Sequence, residues 1–301
     1  MKLHDLHVLM VVTQAGSMSK AAALLNTGQP AISRSIADLE RALGVRLLDR
    51  NRHGIAPNAY GRALLDGATV VFDDLRQTVR NIEFLADPTI GELRVGCSVF
   101  LATSFVAAVI DRLSRRYPRI CFRLVTAQVE ALPRELIERN VDLMITRKSS
   151  PVEDDRLDYE FLFDESYSVA VGAKNAWARR RRVDLADLIN EPWVLPPPRH
   201  PTGLVAAEAF RASGLDFPPA AVIAEPAEVR ISLLATGRFI SIFPDSILRF
   251  SARHPELKVL PVKRPLSRIP VEIATLKNRT ISPLVQLFID SCRQLAKRRT
   301  K

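Results

Sequence analysis

The stretch from Ser17 to Arg52, SMSKAAALLNTGQPAISRSIADLERALGVRLLDRNR, constrains the fold more than any other part of this chain. Ser17 or Ser19 can cap a helix, and Lys20-Ala21-Ala22-Ala23-Leu24-Leu25 are mostly strong helix formers. Asn26-Thr27-Gly28 then breaks the run, with glycine allowing a sharp turn at little steric cost. Pro30 falls in the first turn of a second helix, where its missing N–H is tolerated. From there Ile32, Ile36, Leu39 and Leu43 recur in steps of four, three and four, which makes one apolar stripe. The opposite face carries Pro30, Ser33, Arg34, Ala37 and Arg41, which are small, polar or basic. Arg46, Arg50 and Arg52 surround Leu47-Leu48, and Asn51-Arg52-His53-Gly54 turns the chain back into Ile55-Ala56-Pro57. Two short helices with a tight turn between them, followed by a basic two-stranded wing, are predicted.

That arrangement suits insertion of the second helix into a DNA major groove. A surface of small residues around an arginine approaches base edges closely, and Gln29 and Ser33 can both donate and accept hydrogen bonds. Candidate DNA contacts are Ser19, Gln29, Pro30, Ser33, Arg34 and Arg41 in the helices, with Arg50 and Arg52 in the wing. An amphipathic hairpin inside an all-α core shares the apolar stripe, but it has no use for the basic wing. The net charge of +10 fits a polyanionic partner without locating it. Residues 1–62 hold eight Lys/Arg against four Asp/Glu, whereas most of the excess lies beyond residue 90, where solubility is the simplest account.

At the N-terminus, Leu3, Leu6, Leu9 and Met10 share a helical face, and the apolar stretch Val8–Val12 is too short for a signal sequence. No run of 18 apolar residues occurs, so a membrane span is not expected. Cys97, Cys121 and Cys292 are widely spaced and read as buried thiols in a reducing compartment, with a cytoplasmic location following. From 58 to 86 the chain lacks proline. Leu64, Ala68, Val71, Leu75, Thr78, Ile82 and Leu85 form a heptad-like seam, broadened by Leu65, Phe72 and Val79. A helix of that length with one apolar side needs a partner, either a second copy or the chain's own C-terminal part.

After Ala86-Asp87-Pro88-Thr89-Ile90-Gly91, short β-rich runs alternate with helical patterns. They argue for parallel sheets with crossover helices, divided between two α/β lobes. Such lobes bind ligands in the cleft at the carboxyl ends of their strands. Ser98, Val99 and Phe100 follow the first strand (Leu93–Cys97), and Thr126, Ala127, Gln128 and Val129 follow the second (Cys121–Thr126). Arg147 follows the third (Val141–Thr146). Pro198 to Thr202, Glu225 and Phe243-Pro244 occupy equivalent places in the second lobe. Helices are predicted over Thr103–Tyr117, Leu132–Arg139, Gly203–Ser213, Ala227–Ala235 and Ser282–Leu295.

The segment Leu6–Gly61 resembles the winged helix-turn-helix of the LysR-type transcriptional regulators. The resemblance is carried by Ala21-Ala22, Leu24-Leu25, Gln29-Pro30-Ala31-Ile32-Ser33-Arg34, Leu39-Glu40, Leu43-Gly44-Val45, Leu47-Leu48, Arg50, Arg52, Pro57 and Gly61, and it extends more loosely over the rest. It departs at Gly28, where the family usually has Ser or Thr, at Leu48 in place of Phe, and at Asn58 in place of Thr. A further departure is Gly237-Arg238-Phe239-Ile240-Ser241-Ile242-Phe243-Pro244, where the family commonly has a glycine-rich stretch.

The resemblance implies a winged helix-turn-helix domain at 1–58 and a dimerisation linker helix at 59–87. A periplasmic-binding-protein-like module follows, with lobe I at 92–163 plus 268–293 and lobe II at 164–267. It implies that polar residues at Ser98, Gln128 and Thr202 touch an effector. With their neighbours, the candidate effector contacts are Ser98, Val99, Phe100, Gln128, Val129, Arg147, Thr202 and Phe243. Implied partners are double-stranded DNA carrying inverted-repeat promoter sites, a small effector for which Arg147, Arg199 and His200 suggest a carboxylate or sugar, a homodimer pairing into a homotetramer, and RNA polymerase. No cofactor or metal is expected. Catalytic signatures such as G-x-S-x-G, a phosphate-cradling glycine loop and H-E-x-x-H are missing, which disfavours an enzyme using the cleft. A binding protein without gene regulation is disfavoured by the intact N-terminal module.

Overall fold

The computed structural model describes residues 1–51, 54–148, 154–250, 256–263 and 266–299. The chain divides into two compact units, 1–82 and 83–301.

The first unit begins with α1 (Leu3–Ala15), α2 (Met18–Leu24) and α3 (Gln29–Leu43). Leu6, Val8, Leu9 and Val12 of α1, Ala21 and Ala22 of α2, and Ile32, Ile36 and Leu39 of α3 are buried together. Two expectations fail at the margins of this core. Leu3 and Leu43 are 52% and 41% exposed, because each sits in the terminal turn of its helix, beyond the reach of the opposing helices. The wing consists of β1 (Leu48–Asn51) and β2 (Gly54–Pro57), antiparallel with Leu48 opposite Pro57 and Asn51 opposite Gly54. It is pinned near its turn, where Ile55 N–H donates to the Gly16 carbonyl at 3.0 Å. A Cβ on Gly54 would stand 2.6 Å from that same oxygen, and Gly54 has φ +123°, so glycine is required there.

Then α4 (Ala59–Ala86) carries the chain into the second unit. Asn58 caps it, accepting from Gly61 N–H at 3.0 Å while its own amide donates to the Arg46 carbonyl at 2.8 Å. The seam divides along its length. Leu64, Leu65, Ala68 and Phe72 pack on the helix-turn-helix core. Val71, Leu75, Val79, Ile82 and Leu85 stay exposed. No helix among the described residues is long and apolar enough to cross a membrane.

The second unit opens with β3 (Ile90–Cys97) and α5 (Val99–Leu101), which leads through a π-helical turn at Ala102–Val106 into α6 (Ala107–Arg116). The expected helix therefore starts earlier and contains a widened turn. Thr103 and Ser104 hydroxyls donate to the carbonyls of Val99 and Phe100, competing with the backbone N–H groups that would close an α-turn. Next come β4 (Arg119–Thr126), α7 (Leu132–Ile137), β5 (Leu143–Arg147) and β6 (Leu157–Glu165). Ser166 alone separates β6 from β7 (Tyr167–Gly172), which begins the second lobe. That lobe continues with β8 (Trp193–Leu195), α8 (Pro201–Ala212), β9 (Ala220–Ile223), α9 (Ala227–Ala235), β10 (Ile240–Pro244), α10 (Asp245–Phe250) and β11 (Leu257–Val259). Finally β12 (Ile269–Leu276) returns to the first lobe and α11 (Pro283–Arg299) closes over it.

The sheets run β4-β3-β5-β12-β6 and β11-β7-β10-β8-β9. They are mixed, which corrects the expectation of parallel sheets. Strands β3, β4 and β5 are parallel, but the returning β12 enters from the other lobe and pairs antiparallel with both β5 and β6. Likewise β7 pairs antiparallel with β10 and β11. Each lobe has its own core, one around Val95, Phe105, Ile145 and Phe288, the other around Val169, Trp193, Phe210 and Ile240. A further cluster joins Phe100 of the first lobe to Ala227, Ile231, Phe243 and Ile247 of the second. Of the thiols, Cys97 and Cys292 are buried, and desolvation pushes the Cys97 pKa up to about 12. Cys121 is exposed on the edge strand β4, contrary to the expectation of burial.

Candidate nucleic-acid interface and interlobe cleft

Burial of Ile32, Ile36 and Leu39 turns the other side of α3 outward, so Gln29, Pro30, Ser33, Arg34, Ala37 and Arg41 share an exposed face. Gly28 occupies the N-cap with extended backbone and no side-chain acceptor, and its carbonyl accepts from Ala31 N–H at 3.0 Å. Ser19 Oγ donates to Gln29 Oε1 at 3.2 Å, which ties the start of α2 to the start of α3. Ser17, the N-cap of α2, makes no side-chain capping bond. Arg41 is held by Asp38 at 2.9 Å on the same face, whereas Arg34 is exposed there. Arg50 lies on β1 opposite Ile55. Arg52, the other wing candidate, lies outside the described residues.

In the second unit the parallel strands β3, β4 and β5 end on one side, facing the loops that precede α8 and α9. A cavity of about 500 Å³ lies there, lined by Ser98, Val99, Phe100, Thr126, Ala127, Gln128, Val129, Arg147 and, from the other lobe, His200, Glu225, Pro226, Ala227 and Glu228. Six of the expected effector residues thus meet at one cavity. Thr202 and Phe243 do not line it. Thr202 is buried in the first turn of α8, where its N–H donates to His200 Nδ1 at 3.2 Å, and Phe243 packs beside Phe100 in the buried cluster.

The polarity of the cavity is graded. On its buried side, Arg147 is 3% exposed. Its Nη1 donates to Ser98 Oγ and its Nη2 to Glu165 Oε2, both at 3.5 Å, and its Nε has no partner among the described residues. Glu165, fully buried, also accepts from Ser246 N–H at 3.1 Å. Two long bonds and an orphan donor leave Arg147 under-satisfied for a buried guanidinium. At the exposed rim, Gln128 Nε2 donates to Glu225 Oε1 at 2.9 Å, a hydrogen bond from one lobe to the other. His200 stands edge-on to Phe100 with ring centroids 5.9 Å apart. Burial, then Arg230, hold its pKa below the ordinary 6.5, with Arg147 adding and Glu225 opposing. Because Nδ1 accepts from Thr202, the neutral ring carries its proton on Nε2.

Two features escape sequence reasoning. Pro226, Ala227 and Glu228 line the cavity from the start of α9, where the β9–α9 turn is too short for the end of the strand to separate Glu225 from them. Arg230, in the middle of a helix with ordinary periodicity, is fully buried behind the wall, a position that no local signal marks.

The model for the bacterial regulatory helix-turn-helix protein, lysR family, matches residues 3–62, and that for the LysR substrate binding domain matches residues 86–297. The HTH-type transcriptional regulator GbpR of Azospirillum brasilense is 24% identical over 284 residues, which are 94% of this chain and 83% of that one. A full-length OxyR variant from Pseudomonas aeruginosa superposes with a TM-score of 0.69 at 21% identity, covering 97% of this chain and 95% of its own. Full-length CbnR complexed with its target DNA gives 0.58 at 22% identity, covering 98% and 100%. With both halves of the family pattern matched in order along one chain, this protein belongs to the LysR family of transcriptional regulators.

Proposed function

We propose that this regulator reads inverted-repeat DNA as a dimer and answers to a small molecule held between the two lobes of its second unit. The observation that carries the reading is the cavity of about 500 Å³, into which both lobes project residues around the under-satisfied Arg147. A concave pocket with a few convergent polar groups on apolar walls is what a small-ligand site requires. Ser98, Arg147, Gln128 and the Nε2–H of His200 offer donors, so a ligand bearing acceptor oxygens, a carboxylate or a polyol, fits best. A ligand acts on DNA binding only through different affinities for two arrangements of the lobes, and the Gln128–Glu225 bond across the rim is a contact that such rearrangement makes or breaks.

On the DNA side, Gln29, Ser33 and Arg34 are assigned to base edges, and Ser19, Pro30, Arg41, Arg50 and Arg52 to backbone contacts and close approach. The exposed seam of α4 supplies the dimer contact, and two copies on a two-fold axis match an inverted repeat. Pairing of such dimers into a tetramer, and contact with RNA polymerase, follow from the family resemblance.

The test is selection of genomic fragments by the purified protein at moderate salt. Retention of discrete inverted repeats supports the reading, and footprints over them then report ligands that change the bound length. Retention of DNA without sequence preference, released uniformly by salt, would overturn it.

A further inference from the structure

Arg230 is a second buried cation behind the wall of the cleft. It is 0% exposed. Its Nη1 donates to the Ile242 carbonyl at 3.0 Å, but Nε and Nη2 have no hydrogen-bond partner among the described residues. The free pair is the side of the guanidinium that takes a carboxylate through two parallel N–H bonds. The guanidinium carbon also lies 4.7 Å from the Phe243 ring centroid and 5.9 Å from that of Phe100. The edge carrying Nε and Nη2 is the one with unmet donors. Burial pushes the pKa down to about 10, with Glu228 opposing, so the group is still a cation at neutral pH. A buried cation with no carboxylate hydrogen-bonded to it is among the most costly groups a protein retains.

This group adjoins the cleft on two sides. Ala227 and Glu228, three and two residues earlier on α9, line the cavity, and so does Phe100, whose ring centroid lies 5.6 Å from the guanidinium carbon of Arg147 and 5.9 Å from that of Arg230. We propose that the cleft takes a small monocarboxylate, held by Nε and Nη2 of Arg230 and reached past the Phe100 ring. The ligand's apolar body lies among Val99, Val129, Pro226 and Ala227. The inference rests on the cleft being the effector site. A polyol would satisfy the donors but leave the charge uncompensated, and Glu225 and Glu228 at the exposed rim disfavour a dianion. Phe100 belongs to one lobe and Arg230 to the other, so turning the ring aside alters the contact between lobes and links binding to their arrangement.

The probes are monocarboxylates from propionate to octanoate, with phenylacetate, each paired with its uncharged amide, read by thermal unfolding of the full chain. The expected result is that at least one carboxylate raises the unfolding temperature and its amide does not. Arg230→Met should melt higher than the parent without ligand, since it removes a buried unpaired charge, and should lose the ligand-induced rise, with binding weaker by roughly tenfold or more. Arg230→Lys keeps the charge without the fork and should bind markedly less tightly. No stabilisation by any carboxylate, or undiminished affinity in Arg230→Met, would overturn the proposal. If Arg230→Met does not fold, undiminished affinity in Arg230→Lys overturns it equally. Thr126→Trp, which fills the cleft, separates the two readings. Loss of binding there with normal binding in Arg230→Met removes the Arg230 site and keeps the cleft. Normal binding in Thr126→Trp with loss in Arg230→Met keeps the Arg230 site and removes the cleft.

Discussion

At His200, burial and two nearby guanidiniums push in the same direction, toward a neutral ring. The folded protein therefore holds this proton less tightly than the unfolded chain, whose value is 6.5. The unfolded state binds more protons once the pH drops below that value, so the contribution to stability is complete above 6.5 and is lost as the pH falls through the window beneath it. His200→Asn keeps an acceptor for the Thr202 N–H and removes the titration. Its stability should decline less than that of the parent below pH 6.5, and parallel curves from denaturant unfolding at several pH values would refute the assignment. Arg34 makes a different residue-scale case. It is exposed on the outer face of α3, where Arg41 is already engaged by Asp38. Arg34→Ala should weaken specific binding by roughly 1–3 kcal/mol and relax preference at one base position. Equal weakening on all sequences, read in titrations of matched and mismatched duplexes, would make it a phosphate contact instead.

Among the elements, α4 has the largest unmet demand. Its first half is satisfied by the helix-turn-helix core through Leu64, Ala68 and Phe72, but Ile82 and Leu85 are 62% and 70% exposed. An apolar stripe left in water at that spacing favours association with a second copy. Leu75→Asp with Ile82→Asp should convert the protein to a monomer in sedimentation velocity while leaving its helix content unchanged. An unaltered sedimentation coefficient would place the interface elsewhere. This helix was legible in the sequence because a 3.5-residue repeat sustained over many turns keeps its apolar side chains together only on a helix. The division of its seam was not, since periodicity says which residues share a face and nothing of what covers each part. The same holds at α3, where Leu43 continues the stripe beyond its opposing helices. The π-helical turn after α5 was hidden for another reason. It arises from two hydroxyls bonding backwards to carbonyls, and Thr and Ser at mid-helix positions commonly do so without widening a turn.

For the whole molecule, alternation of strand and helix patterns pointed to two α/β lobes and put Ser98, Gln128 and Arg147 at strand ends, because in parallel units every loop after a strand faces the same side. The antiparallel return of β12 was illegible, since the direction of a strand depends on where the chain last left the sheet. Thr202, implied by the family resemblance, and Phe243, placed at a strand end, both lie buried outside the cavity lining. The molecule's division into compact units at 1–82 and 83–301 has its own thermodynamic consequence. Separate compact units unfold as separate cooperative transitions, and a ligand that binds one folded unit raises the transition of that unit alone, by about 2.7 kcal/mol at a hundred times its dissociation constant. Calorimetry should therefore show two transitions. Duplex DNA at low salt should raise the smaller one, which belongs to the helix-turn-helix core, and a cleft ligand should raise the larger. A single transition moved by both would mean that the units share one folding equilibrium, in which case occupancy of the cleft and affinity for DNA are coupled through stability itself.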